Sequence, residues 1–183
     1  MVVIVISGDV GAGSTTVARA LAKRLGLDHF SPGAYVKSQS NAKTETDKAL
    51  DVLKSEQGMR KSFHARVDEL QIQKAKRGNI VIDGKLSFYF LHGLADYRIW
   101  LACSKQTRVL RTIQRDGLTP DEAERKLALR ERIDAFNFEK MYGIKLSKLK
   151  EEADTSIDVS ALETDMIVDK IMAFIRSRDS KNT

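Results

Sequence analysis

The first 26 residues constrain the fold more tightly than any other stretch of the chain. Met1-Val-Val-Ile-Val-Ile-Ser7 is a β-branched run that stops at Gly8, the pattern of a strand buried on both faces. A glycine-rich turn follows. From Thr15 to Leu25 the apolar residues Val17, Ala18, Leu21, Ala22 and Leu25 recur at helical spacing, and Gly26 supplies a C-terminal stop. The unit is strand, loop, helix.

The rest of the chain repeats that alternation. Asn79-Ile-Val-Ile-Asp83 and Tyr97-Arg-Ile-Trp-Leu-Ala-Cys103 read as strands, and Ser156-Ile-Asp-Val159 as a last short one. Helical patterns run from Lys105 to Arg115, from Pro120 to about Lys140 after the start signal Gly117-Leu-Thr-Pro120, and from Thr164 to Arg178 with Ile167, Ile171, Phe174 and Ile175 inward. Lys43 to Arg77 is polar and rich in helix formers, with two or three helices broken near Gly58. No repeat or low-complexity tract interrupts the order. An α/β domain spanning residues 1–183 is expected, its parallel sheet wrapped by helices on both faces.

Several function classes fall away. The single cysteine, Cys103, makes no internal disulfide, and no basic region followed by an apolar run opens the chain, so a cytoplasmic location is expected. The apolar runs are far shorter than the roughly 20 residues of a membrane span. Lys and Arg number 31 against 25 Asp and Glu, a net charge of +6 that favours anionic partners. That charge by itself suits nucleotide, phosphorylated metabolite or RNA, and it also suits plain solubility.

The chemistry concentrates in Ile6-Ser-Gly-Asp-Val-Gly-Ala-Gly-Ser-Thr-Thr16. This stretch matches G-x-x-x-x-G-K-[ST] at Gly8, Gly13 and Thr15, with Ser14 in the lysine position. The candidate phosphate cradle is Gly8, Asp9, Val10, Gly11, Ala12, Gly13, Ser14, Thr15 and Thr16. Its glycines permit positive φ and let backbone N–H groups approach phosphate, while the helix that follows adds a favourable dipole. Thr15 is placed to offer its hydroxyl to Mg²⁺, and Asp83 at the end of another strand is the candidate second metal group. The plainer alternatives are a tight connection for the loop and a strand-end cap for Asp83.

A second constellation is rich in arginine. Arg108, Arg111 and Arg115 share one helical face, and Arg125, Arg130 and Arg132 follow on the next helix. Planar guanidinium groups suit phosphate oxygens, so Arg111, Arg115, Arg125 and Arg130 are the candidates for neutralising a transferring phosphoryl group. Interleaved acids, Asp116, Asp121, Glu122, Glu124 and Glu131, make a solvated, salt-bridged face the alternative. His29, His64 and His92 lack metal spacing, Cys103 reads as a small buried residue, and Tyr97, Ile99 and Trp100 as core strand.

The order of segments resembles the nucleoside monophosphate kinases, and within them the cytidylate kinases of the compact archaeal type. The resemblance runs from Met1 to about Ser160. Beyond the loop it is carried by Ser31-Pro-Gly-Ala-Tyr-Val-Lys37, Gly78-Asn-Ile-Val-Ile-Asp-Gly-Lys-Leu-Ser87 and Ala95-Asp-Tyr-Arg-Ile-Trp-Leu101. Arg108-Val-Leu-Arg-Thr-Ile-Gln-Arg-Asp-Gly117, Glu122-Ala123, Arg130-Glu131 and Met141-Tyr-Gly-Ile144 extend it. It implies a P-loop NTPase three-layer fold with a five-stranded parallel sheet, a helical monophosphate-binding insertion at about residues 35–77 and a lid at about 115–140. It further implies magnesium-dependent transfer from ATP to a pyrimidine monophosphate, CMP or dCMP; separately, a monomer with no membrane or nucleic-acid partner is expected.

The sequence departs from that pattern at identifiable places. Ser14 replaces the loop lysine, and Lys37 and Lys85 stand where arginines would hold the acceptor phosphate. Glu69 and Leu70 occupy arginine-like positions beside the retained acceptor residues Asp68 and Gln71, and Asn137 replaces a lid arginine. Losing the lysine removes an electrostatic term of about 3 kcal/mol, or about 10² in rate. A lid arginine or Lys85 compensates, or else the domain binds nucleotide and transfers it poorly. A kinase with another small-molecule acceptor is the remaining alternative.

Overall fold

Strand β1 (Val3–Gly8) is buried along its whole length because parallel strands flank it on both sides. β3 (Ile80–Asp83) pairs with one edge and β4 (Tyr97–Ala102) with the other. β2 (Asp28–Phe30) and β5 (Thr155–Asp158) extend the sheet to the order β2-β3-β1-β4-β5, parallel at every pairing. This computed structural model describes residues 1–56 and 61–180, so the break expected near Gly58 lies outside the described residues.

The alternation of side chains along β1 divides the core into two. Ile4 and Ile6 point toward α1 (Ser14–Leu25) and α9 (Thr164–Asp179), where they meet Val17, Leu21, Ile167 and Ile171. Val3 and Val5 point the other way, into a cluster with Ile80, Ile82, Phe88 and Trp100. That second face is closed by α5 (Ser87–Phe90) and by α8 (Leu146–Glu151) through Leu149. Helices therefore cover both faces of a five-stranded sheet, the three-layer arrangement that the sequence predicts.

Two helical segments separate strands along the chain. α2 (Pro32–Lys37), α3 (Glu45–Lys54) and α4 (Lys61–Arg77) fall between β2 and β3. α6 (Lys105–Asp116) and α7 (Pro120–Tyr142) fall between β4 and α8. α7 starts where the sequence predicts it, since Thr119 and Glu122 form a reciprocal capping box and Pro120 takes the first turn.

The short elements β2, α2, α5 and α8 are not foreseen from the pattern of residues. β2 spans three residues, Asp-His-Phe, and carries no period; it extends because Asp28, His29 and Phe30 find partners along β3. α2 is six residues long and contains Gly33, yet Ser31 caps it and Pro32 presets its first turn. Tertiary pairing and caps, rather than propensity, sustain these pieces.

The fold sets where ligands bind. β1 and β3 run parallel in the register Ile6↔Asp83, so their C-terminal ends open side by side into one crevice. Gly8 is confined there by β4: a Cβ at this position would sit 2.5 Å from the Leu101 carbonyl oxygen. Among the described residues no helix is long and apolar enough to cross a membrane.

Candidate active site

The loop from Gly8 to Ser14 leaves β1 and enters α1 through two glycines in the left-handed region, Gly11 at φ 86° and Gly13 at φ 93°. Gly13 is the N-cap of α1, no side chain caps it, and no acidic residue stands in the first turn. The N-terminal N–H groups of α1 thus face the crevice with the positive end of the helix dipole behind them, a site built for an anion.

The loop is braced from behind. Arg108 donates to the Val10 carbonyl at 3.1 Å and to the Cys103 carbonyl at 3.1 Å, and pairs with Glu131. Arg111 donates to the Ala12 carbonyl at 2.7 Å and to the Val159 carbonyl at 2.8 Å. The Asp9 carboxylate accepts from the Cys103 N–H at 2.8 Å. Within the loop itself the Ala12 N–H donates to the Asp9 carbonyl at 3.0 Å, and the Asp9 N–H to the Leu101 carbonyl of β4 at 3.1 Å.

At the mouth of the loop Thr15 Oγ1 donates to Asp83 Oδ2 at 2.7 Å. Asp83 is buried at the end of β3, where His29 Nε2 lies 2.5 Å from its other oxygen and Ser31 Oγ donates at 3.0 Å. Lys85, two residues on, donates from Nζ to the Gly8 carbonyl at 2.9 Å. Burial pushes its ammonium below the ordinary lysine value, while the Asp134 charge opposes that shift. Burial likewise pushes the Asp134 carboxyl up, against the nearby charges of Arg130 and Lys85. The Arg130 Nε lies 3.9 Å from Asp134 and, buried, has no hydrogen-bond partner.

The other end of the same crevice is built by α2, α4 and α7. Lys37 Nζ pairs with Glu45 at 2.5 Å across α2 and α3, and Glu45 is lowered chiefly by that bond. Tyr142 donates to Asp68 at 2.6 Å, and Gln71 Nε2 donates to its other oxygen at 3.2 Å. Gln71 in turn accepts from Ser87 Oγ at 2.7 Å. Burial raises the Asp68 carboxyl, with the Tyr142 bond opposing, and burial raises the Tyr142 hydroxyl with Asp68 adding to it.

The predicted site residues separate into two groups. Gly8, Asp9, Val10, Ser14, Thr15 and Asp83 line the crevice together with Lys85, which donates to the Gly8 carbonyl; Lys37, Asp68, Gln71 and Arg130 line it as well. Gly11, Ala12 and Gly13 supply the turn itself, and Thr16 faces solvent on α1. Arg111 stands behind the loop, Arg115 is engaged with Asp116 at 2.7 Å and Thr46 at 2.6 Å, and Arg125 lies on a different face beside Asp51 and Lys54. These three arginines therefore do not line the crevice, because the rotation of α6 and α7 that buries Thr112, Ala123 and Leu127 points them elsewhere.

Sequence reasoning missed His29, His64, Ser31, Ser87, Asp134 and Tyr142, all drawn to the crevice or onto its residues. Ser31 had a signal, its place before Pro32 at a helix start. For His29, Ser87 and Tyr142 the roles arise from partners 16 or more residues away, which no local pattern indicates.

Comparison with known proteins agrees with this geometry. The model of the cytidylate kinase-like family matches residues 3–161. A cytidylate kinase of Pyrobaculum calidifontis is 34% identical over 186 residues, covering 100% of this chain and 99% of that protein. One from Ignicoccus hospitalis is 30% identical over 171 residues, covering 93% and 97%. Among solved structures, an uncharacterized protein from Eubacterium ventriosum superposes with a TM-score of 0.71 at 18% identity, covering 97% of this chain and 99% of that one. A shikimate kinase from Bacteroides thetaiotaomicron gives 0.62 at 16% identity, covering 96% and 98%. The structural likenesses speak to the fold; the family match over most of the sequence makes this chain a member of the cytidylate kinase-like family.

Proposed function

We propose that the crevice transfers the γ-phosphoryl group of ATP to a nucleoside monophosphate, with CMP or dCMP as the acceptor. Family membership carries the broader part, an ATP-dependent phosphotransferase of the nucleoside monophosphate kinase kind. One observation supports the rest: Gly8, Ser14, Thr15 and Asp83, and the acceptor candidates Lys37, Asp68 and Gln71, line a single crevice.

The donor end would hold Mg²⁺. Thr15 and Asp83 bring two hard oxygens within 2.7 Å of each other at the N-terminus of α1. Among the described residues no cluster of three or more His, Cys, Asp or Glu forms a cage, which suits an ion shared with nucleotide phosphates and water. When bound, the ion neutralises charge on the triphosphate.

The chain's own work is positioning. The loop N–H groups orient the triphosphate, Lys37 holds the acceptor phosphate, and Arg130 meets the charge of the migrating group. An oxygen of the acceptor phosphate is already ionised at neutral pH, so no general base is needed. That oxygen bonds to the γ-phosphorus as the bond to the β-bridging oxygen breaks, and the electron pair leaves on ADP. Asp68, with Gln71 and Tyr142 fixing its two oxygens, offers an acceptor to the exocyclic amino group of cytosine. The domain reading that follows is α2 to α4 as the acceptor-binding insertion and residues 115–140 as the lid.

The test is diphosphate formation from Mg-ATP with CMP, dCMP, UMP and AMP in parallel, with shikimate and gluconate as non-nucleotide acceptors and Thr15→Ala as the contamination control. Turnover of a cytidine nucleotide that is lost in the control is expected. Transfer only to another acceptor, or none at all, overturns the reading. Ser14 favours the second reading, a nucleotide-binding protein of weak transfer, and an inactive chain that still binds ATP would establish it.

A further inference from the structure

Ser14 brings neither charge nor reach to the loop, so the cation that neutralises a bound triphosphate must come from another segment. Among the described residues three cationic side chains line the crevice: Lys37, Lys85 and Arg130. Lys37 is committed to Glu45 at 2.5 Å on the α2 side. Arg130 belongs to α7 and stands beside Asp134. Lys85 alone of the three places its charge on the loop, 2.9 Å from the Gly8 carbonyl. Arg108 and Arg111 also grip loop carbonyls, but from the far side.

The sheet explains why Lys85 arrives there. β1 and β3 pair Ile6 with Asp83, so Gly8 and Lys85, each two residues further on, leave the sheet side by side. Gly84 makes the turn possible, since a Cβ there would lie 2.2 Å from Ser87 Oγ and 3.3 Å from the Pro32 ring. The neighbouring strand therefore delivers to the loop what the loop's own sequence lacks.

We propose that Lys85 takes the place of the absent loop lysine, its ammonium binding the β- and γ-phosphate oxygens of the nucleoside triphosphate. The proposal rests on the kinase reading of the crevice and deepens it. It divides two lysines of similar sequence context, giving Lys37 to the acceptor phosphate and Lys85 to the donor. An ammonium suits the task because it is a compact charge with three rotatable donors on a flexible stem, able to follow a group as it moves. No bond to Lys85 forms or breaks; its part is electrostatic.

The experiment uses the imido analogue of ATP, AMPPNP, which binds without transferring. AMPPNP and CMP are titrated calorimetrically, in separate runs, into the wild type, Lys85→Met, Lys85→Arg, Ser14→Lys/Lys85→Met and Lys37→Met, and diphosphate formation is followed for each. Lys85→Met is expected to weaken AMPPNP about 10-fold or more and to slow turnover about 10²-fold, with CMP affinity within about 2-fold of wild type. Lys85→Arg, which keeps the charge beside Asp134, is the control for folding and should hold AMPPNP within about 5-fold. Ser14→Lys/Lys85→Met should regain most of the lost affinity, and Lys37→Met should weaken CMP instead. Unchanged AMPPNP binding in Lys85→Met, a loss that falls on CMP, or a double variant that regains nothing overturns the proposal. A wild type that binds AMPPNP but phosphorylates no acceptor would remove the kinase reading while the calorimetric comparison still judged Lys85, and one that binds no AMPPNP would overturn both.

Discussion

The Thr15 hydroxyl donates to the Asp83 carboxylate at 2.7 Å, although 68 residues separate them in the chain. The contact joins the first turn of α1 to the end of β3, and Asp83 is held from its other side by His29. Thr15→Ala and Asp83→Asn should each reduce phosphoryl transfer about 10²-fold or more, and chelation of Mg²⁺ should abolish it in the wild type. Initial rates of diphosphate formation, with and without EDTA, check both.

On the proposed acceptor reading of Asp68, Tyr142 is a positioning residue. Its hydroxyl holds one oxygen of Asp68, whose carboxyl burial already pushes up. Tyr142→Phe should raise the acceptor KM about 5- to 15-fold, the equivalent of about one ordinary hydrogen bond, and leave kcat within about 2-fold. Removing the donor also moves the Asp68 carboxyl further up. The KM penalty should therefore widen as the assay pH is lowered, which a purely steric effect would not do.

Asp116 links stability to acid. Burial would raise its carboxyl, but the Arg115 guanidinium and the Thr46 hydroxyl outweigh that and bring it down to about 2. A carboxylate depressed below its unfolded value stabilises the fold above that value, and the contribution is lost as pH falls through the folded one. Asp116→Asn should cost about 1–2 kcal/mol at pH 6, and the difference from wild type should shrink steadily between about pH 4 and pH 2. Urea midpoints across that range measure it.

Arg111 acts on the loop through backbone. It donates to the Ala12, Val159 and Leu162 carbonyls, and among the described residues no carboxylate pairs with it. Arg111→Ala leaves those carbonyls without their donor, a cost of about 1–3 kcal/mol and a fall of about 3–10 °C in Tm. ATP-analogue affinity should fall with it while CMP affinity stays, because the loop and not the acceptor end loses its brace.

Much of this architecture is legible in the sequence. The β-branched run to Ser7, the glycines at 8, 11 and 13 and the period of Val17, Ala18 and Leu21 are local signals, and they specify the strand, loop and helix where those elements stand. Thr15 and Asp83 are legible as a pair because each ends or begins an element whose pattern is strong. Arg111, Arg115 and Arg125 are misplaced as a group for the opposite reason. Helical spacing says that residues share a face but not what that face meets, and these faces turn to loop carbonyls, to Thr46 and to the flank of α3.

By itself the sequence determined the α/β alternation, the phosphate loop, the absence of its lysine and the family, since each is written in adjacent residues or in their period. Tertiary structure decided which of the candidate cations stands at the loop. The register Ile6↔Asp83 and the bare Cα of Gly84 bring Lys85 to Gly8, and the burial of Asp68 beneath Tyr142 sets the character of the acceptor end. Such juxtapositions join residues more than 70 positions apart, and the strand pairing that creates them is stabilised by the whole sheet rather than by any local preference.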